Sequence, residues 1–433
     1  MVSKKATTKN IIILGAGFGG LNVAQVLQKN LSQAALAESH KIILIDKSPY
    51  HVYTANLYET ATAYAKKITP DCQRILKESV AIPITELIDN KKVTFINAEV
   101  LSINPEKREI ELKTHRQKTD KLLNYEVLIL ALGAATNYFN IPDLKENSLP
   151  LKTIEDALKI NCGLNQHFLY NYKKTPPPKV AITIMGGGAT GVETAAEMRG
   201  FLNHLAKKYH YPKEKIKIKL IEAGQTLAGL GEKGTEIIKK RFKKLAIDIH
   251  LNSPIQEVTK NSITIESNHQ KKVLPSNFAI WTGGVMVSPL VQRVFGTEKT
   301  RGAIEINEHL QSIKYPEIFA IGDNAYFTDP KDITKRLPLL AQIAFRQGRF
   351  LGKNILNYLN KKPLKNYHPA SPIYLLPIGG RFAIMKIGNH LFKGRLLWYL
   401  RRLIDLRYSL LILPFFKALR KWLFSHKIFL KND

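Results

Sequence analysis

The sequence predicts an α/β chain of two Rossmann-like dinucleotide-binding domains followed by an amphipathic C-terminal region. Three observations predict it. The first is Gly15-Ala16-Gly17-Phe18-Gly19-Gly20, placed directly after the apolar run Asn10-Ile11-Ile12-Ile13-Leu14. The second is Gly186-Gly187-Gly188-Ala189-Thr190-Gly191, placed after Val180-Ala181-Ile182-Thr183-Ile184-Met185. Each fits G-x-G-x-x-G at a strand-to-helix turn. The third is an acid at the end of the following strand in each half: Asp46 after Lys41–Ile45, and Glu222 after Lys217–Ile221.

Each residue type has a physical task. Gly15 and Gly186 allow the tight turn, Gly17 and Gly188 let backbone approach a pyrophosphate, and Gly20 and Gly191 let helix and strand pack closely. The helix N-terminus, with its unpaired N–H groups and positive dipole end, receives the phosphates. The carboxylates of Asp46 and Glu222 suit ribose hydroxyls. Two such sites about 170 residues apart imply two dinucleotides, most simply a flavin and a nicotinamide, with a hydride passing between them.

The remaining elements follow in order. Residues 124–133 read as a buried parallel strand stopped by Gly133, and Ile154–Phe168 as a helix. Thr175-Pro176-Pro177-Pro178 is a stiff connector before the second fingerprint. Helix is expected over Thr235–Leu245 and strand over Ser262–Glu266. Phe278–Gly284 and Ile318–Asp323 are strands ending on ligand-side glycines, the second carrying Gly322 and Asp323. A helix is expected over Leu337–Leu356. The domains are therefore a discontinuous flavin domain, 9–149 and 302–385, an inserted nicotinamide domain, 150–301, and a tail, 386–433.

Composition bounds the function. With 433 residues, 45% of them hydrophobic, the chain has room for two or three domains. A net charge of +30 admits nucleic acid, an anionic membrane or acidic cofactors as partners. No nucleic-acid motif is present, and the charge is diffuse. The two cysteines, Cys72 and Cys162, form no C-x-x-C pair, which excludes a local dithiol, a cysteine-rich zinc site and a four-cysteine cluster. The twelve histidines lack metal-ligand spacing, so no metal is expected. The first nine residues carry no signal-type apolar run, and no segment is long and apolar enough to span a bilayer.

Further segments carry a family resemblance. Tyr50-His51-Val52-Tyr53 with Leu57-Tyr58 and Ala61, Leu130–Phe139, Trp281–Val285, Ala320–Asp323, and Ala341-Gln342-Ile343-Ala344 with Arg346-Gln347-Gly348 together resemble a type II NADH dehydrogenase. That family is a single-subunit, flavin-dependent NADH:quinone oxidoreductase that does not pump protons. The resemblance implies FAD as cofactor, held by Gly15, Gly17, Gly20, Asp46, Gly133, Gly322 and Asp323. It implies NADH as substrate, held by Gly186, Gly188, Gly191 and Glu222. Ala341, Gln342 and Ala344 would meet a quinone, ubiquinone or menaquinone. Glu193 and Gln342 would be the catalytic residues, with Glu193 near both cofactors, and His51 is worth holding only through its loop. The sequence departs from the family at Val52, Thr54, Leu132 and Gly283. A sulfide:quinone reductase of the same fold, which needs closely placed cysteines, and a flavin-binding interaction protein are the alternatives.

In the tail, Leu396, Tyr399, Leu400, Leu403 and Ile404 share one helical face, and Arg395, Arg401 and Arg402 fall elsewhere. Aromatic residues mixed with Lys417, Arg420 and Lys421 suit a helix in an anionic membrane interface, and a homodimer contact is the other use for such a face. The expected place, in a bacterium, is peripheral on the cytoplasmic side of the inner membrane.

Overall fold

The first fingerprint strand, Lys9–Leu14, lies inside a seven-stranded sheet. A computed structural model describes residues 8–31, 34, 36–64, 70–114, 121–329 and 332–432; the first seven residues of the N-terminal reading lie outside these. The chain divides into two units: 1–52, 82–135 and 285–372, and 53–81, 136–284 and 373–433.

In the first unit the sheet order is Ile318–Ala320, Val127–Leu130, Lys9–Leu14, His40–Asp46, Val93–Asn104, Glu109–Thr114, Lys121–Asn124. The first five strands are parallel and the last two turn back antiparallel. Ile11, Ile12, Ile13 and Leu14 are all fully buried, which is why this strand reads as an unbroken apolar run rather than an alternating one. The expected single strand over 124–133 is two strands separated at Tyr125-Glu126. Glu126 turns its carboxylate to Lys9 at 2.7 Å and His40 at 2.8 Å. Helix Phe18–Asn30 packs on helix Ala341–Leu359. A Cβ on Gly348 would lie 2.3 Å from the Gly19 carbonyl oxygen, so only glycine permits this crossing. That second helix starts four residues later than its apolar pattern suggested. Pro338 pushes Leu337 towards extended backbone, and Leu340 is itself extended at φ −122° and ψ 139°.

The second unit has a five-stranded parallel sheet, ordered Leu149–Pro150, Phe278–Trp281, Val180–Met185, Ile216–Ile221, Ile247–His250. An antiparallel sheet of Ile255–Val258, Ser262–Ser267 and Gln270–Pro275 shares a core with it through Met185, Ile221, Ile263, Ile265 and Trp281. Helix Ile154–Asn171 opens on a capping box in which Thr153 and Asp156 satisfy each other's backbone N–H groups. The helix read as Thr235–Leu245 runs over Gly231–Lys244.

Two segments fall in this unit that the sequence division placed elsewhere. Residues 53–81 join it because Asn161 donates to the carbonyls of Thr60, Ala61 and Ala63, closing the end of the buried helix Leu57–Thr62. The tail joins it through a three-stranded antiparallel sheet in which Ala383–Ile387 lies between Tyr374–Pro377 and His390–Gly394. The tail therefore begins as sheet. It continues as two helices, Arg395–Ile412 and Phe415–Phe429, separated at Leu413-Pro414.

Candidate active site

The two fingerprints fold into cradles of one design. In the first, Gly15 has φ +100°, and a Cβ there would lie 2.2 Å from the Ala131 carbonyl oxygen. The space beyond Gly17 is open. Helix Phe18–Asn30 starts at Gly17 with no side-chain cap and no acid in its first turn, leaving its N–H groups for an anion. The second cradle repeats these features. Gly186 has φ +109°, Gly188 faces open space, and helix Ala189–Lys208 starts uncapped without an acid in its first turn.

The acids repeat too. Asp46 accepts the N–H of Ala16 at 2.7 Å and of Ser48 at 2.8 Å. Glu222 accepts the N–H of Gly187 at 2.6 Å and of Gly224 at 2.7 Å. In both, the residue between the first two fingerprint glycines ties the turn to the acid. Burial raises the Asp46 carboxyl above its ordinary value, against the pull of its two N–H donors. These donor sets, with their open glycines and uncapped helices, fit a dinucleotide at each turn.

His51 is 1% exposed and donates Nδ1–H to the Ala16 carbonyl at 2.8 Å, with its ring edge-on to Phe18. Its place is to prop the fingerprint backbone.

The first unit also gathers the later motifs. Asn324 donates to the Gly133 carbonyl at 2.8 Å, and the Gly322 N–H donates to Gln347 Oε1 at 2.8 Å. A Cβ on Gly322 would lie 3.1 Å from Ala344 Cβ, and one on Gly19 would lie 3.3 Å from the Ala344 carbonyl oxygen. The A-Q-x-A segment is thus set against the first fingerprint and Gly322. Ala341 and Gln342 are the first two residues of their helix. Asp323 sits in a 3-10 turn, Gly322–Asn324, where Arg336 donates to the carbonyls of Asp323 and Ala325 at 3.1 and 2.8 Å. Nothing in the sequence reading singled out Arg336.

In the second unit, Glu193 is partly exposed near the start of its helix. Burial by the surrounding protein pushes its carboxyl up to about 8, Arg401 pulls it back, and Glu59 and Asp405 reinforce the rise. These neighbours form a cluster that sequence reasoning missed. Arg401 pairs with Asp405 and donates to Asn56 at 2.8 Å, Tyr53 donates to Asp405 at 2.8 Å, and Arg402 pairs with Glu59. Arg401 and Arg402 are each 6% exposed, whereas Leu396 is 80% and Leu403 55% exposed. The tail helix buries Arg401, Arg402 and Asp405, leaves Arg395 and Arg407 exposed, and shows its apolar face. One signal was available, because Asp405 is the single acid between Lys386 and Asn432.

Residues 9–348 match the family described as pyridine nucleotide-disulphide oxidoreductase. The chain belongs to that family. Relatives of nearly the same length carry one name. The chain is 27% identical over 404 residues to a type II NADH:quinone oxidoreductase of Staphylococcus epidermidis, covering 92% of this chain and 94% of the relative. It is 26% identical over 403 residues to one of Staphylococcus aureus, with the same coverage. These relatives bear out the resemblance read from the motifs.

The fold is shared with NDH2 from Plasmodium falciparum, solved in complex with NADH, at a TM-score of 0.79 and 21% identity over 96% of this chain and 97% of that one. It is also shared with the sulfide:quinone oxidoreductase from Aquifex aeolicus, at 0.73 and 20% over 96% and 92%. In this pyridine nucleotide-disulphide oxidoreductase the cysteines, distant in sequence, come near each other. Gln73, next to Cys72, donates to Cys162 Sγ at 3.1 Å. Burial raises both thiols, which makes them poor nucleophiles. Among the described residues no His, Cys, Asp and Glu group could hold a metal ion, and no helix is long and apolar enough to cross a membrane.

Proposed function

We propose that this chain is an FAD-dependent NADH:quinone oxidoreductase that works on a membrane surface without pumping protons. The observation that carries it is the doubled cradle, each turn tied to its own acid, in a chain whose near-full-length relatives bear that name. When bound, FAD supplies the two-electron chemistry, accepting a hydride from NADH and passing electrons to quinone.

The residues have separate tasks in this reading. Gly15, Gly17, Gly20, Asp46, Gly133, Gly322 and Asp323 hold FAD. Gly186, Gly188, Gly191 and Glu222 hold NADH, and the Glu222 carboxylate prefers a ribose hydroxyl to a phosphate. Gln342, with Ala341 and Ala344 beside it, offers a neutral donor and acceptor to a ligand that changes from quinone to quinol. Glu193 acts near both cofactors as a carboxyl that keeps its proton near neutrality.

The membrane reading rests on the tail. Leu396, Leu403, Phe415, Phe416 and Leu423 are more than half exposed, with Lys417, Arg420 and Lys427 exposed among them. That mixture suits an anionic bilayer on the cytoplasmic side of an inner membrane, with a second copy of the chain as the competing occupant. Deleting the tail is a poor test, since two strands and the Arg401–Asp405 pair would go with it. Leu396→Glu with Leu403→Glu should instead abolish sedimentation with anionic vesicles while leaving the flavin bound. Retained sedimentation would remove the membrane reading, and a change from dimer to monomer would favour the second copy.

The activity is tested by a visible spectrum in mild detergent. NADH should bleach the flavin bands and a soluble quinone should restore them. A yellow protein that NADH leaves unchanged would overturn the proposal.

A further inference from the structure

We propose that Arg336 is a positioning residue for FAD, fixing the turn that presents Asp323 to the flavin; this rests on the flavin reading given above. The turn, Gly322–Asn324, is a single 3-10 turn that follows strand Ile318–Ala320 and leads into strand Ala325–Tyr326. So short a turn cannot satisfy its own last carbonyls. Arg336 supplies the donors. Its Nη2 donates to the Asp323 carbonyl at 3.1 Å and to the Ala325 carbonyl at 2.8 Å, so one guanidinium nitrogen spans both sides of Asn324. The guanidinium carbon lies 5.7 Å from the centre of the Tyr326 ring, and that cation–π contact holds the group beside the strand it grips.

The route of the chain gives this contact its leverage. After Tyr326 the chain runs out through Thr328–Asp329 and returns through Asp332–Arg336, an antiparallel pair with Thr328 opposite Arg336. The Leu337 N–H then donates to the Phe327 carbonyl at 3.0 Å, and the helix that carries Gln342 starts soon after, at Ala341. Arg336 thus stands at the base of the excursion and ties its returning arm to the turn it left. Two further bonds hold that turn: the Gly322 N–H to Gln347 Oε1, and the Asn324 amide to the Gly133 carbonyl, each at 2.8 Å. Both are neutral. Arg336 adds charge-assisted bonds, which are stronger, and one of them is made to the main chain of Asp323 itself. Without them the Asp323 peptide is free to turn, and its carboxylate leaves the place where the flavin meets it.

The test uses the full chain and reads FAD affinity from flavin fluorescence, with urea midpoints reporting the fold. Arg336→Gln should weaken FAD about 10-fold, as loss of a charged hydrogen bond does. Arg336→Lys keeps the charge but not the planar fork, and should lose less. Asp323→Asn should weaken FAD as well. Added to Asp323→Asn, Arg336→Gln should cost little more, because an effect relayed through Asp323 disappears once Asp323 no longer holds the flavin. A purely structural role would instead give losses that multiply. If Arg336→Gln does not fold, Arg336→Lys takes its place in the cycle, and its smaller loss should likewise vanish beside Asp323→Asn. An affinity unmoved in the folded variant, or losses that multiply, overturns the proposal. A parent chain that binds no FAD would overturn the flavin reading, and the proposal with it.

Discussion

The N–H of Gly187 donates to Glu222 Oε2 at 2.6 Å, while Gly224 holds the other carboxylate oxygen at 2.7 Å. The fingerprint turn and the acid are therefore one rigid piece. Lys219, which could soften the negative charge, is occupied with the Pro275 carbonyl at 2.7 Å. Glu222→Ala should lower kcat/KM for NADH by roughly 10- to 100-fold, the range for losing a charged hydrogen bond, and should narrow the gap to NADPH. Steady-state kinetics with both nucleotides check this; an unchanged NADH/NADPH ratio would show that Glu222 does not read the ribose.

Gly17 and Gly348 separate ligand binding from folding. Gly17 has φ −71°, and a Cβ there meets open space, so flavin-free Gly17→Ala should melt like the flavin-free parent, while the reconstituted variant should lose its flavin on a desalting column. A Cβ on Gly348 meets the Gly19 backbone oxygen at 2.3 Å. Gly348→Ala should cost about 1–3 kcal/mol through overpacking, and should loosen the flavin as a consequence of the shifted helix. Equal melting temperatures for the two variants would contradict this division.

Arg401 and Asp405 are buried and one helical turn apart. Asp405→Ala leaves a guanidinium without its counter-charge and should destabilise the second unit by about 3–5 kcal/mol, read as a lower urea midpoint. Glu236→Ala is the control. Its pair with Lys239 lies at 2.9 Å but is exposed, so the urea midpoint should stay where it was.

Glu193 makes stability depend on pH in a defined direction. Its carboxyl is raised from an ordinary 4.5 to about 8, so between those values the folded chain holds a proton that the unfolded chain has lost. This contribution is complete below about 4.5 and disappears as pH rises through about 8. The parent should lose more stability than Glu193→Gln between about pH 5 and about pH 9. Parallel pH curves for the two proteins would show that Glu193 ionises normally.

The cradles were legible in the sequence because part of each constraint is local. Gly15 and Gly186 have positive φ, a Cβ on Gly20 or Gly191 would strike the Gly15 or Gly186 carbonyl of the same turn, and Asp46 and Glu222 lie at the ends of the strands that follow. Glu59, Arg402 and Arg336 were not legible, since nothing beside them in the chain reveals what folds onto them. Arg401 and Arg402 read as cations flanking an apolar face. Only the meeting of the tail helix with residues 53–62 shows that burial, not solvent, receives them. The late start of helix Ala341–Leu359 shows the opposite case, in which a single proline outweighs a periodic apolar pattern.

The buried arginines of helix Arg395–Ile412 have a thermodynamic corollary. Many interfacial peptides are unordered in water and acquire helix only on landing, so part of their adhesion is consumed by ordering. Here the contacts of Arg401 with Asn56, Arg402 with Glu59 and Asp405 with Tyr53 fix the helix beforehand. Docking of its outward face would then be a rigid landing. Circular dichroism would register no gain of helix on adding vesicles, and the attachment would be as tight as the exposed hydrocarbon allows, with nothing deducted for folding.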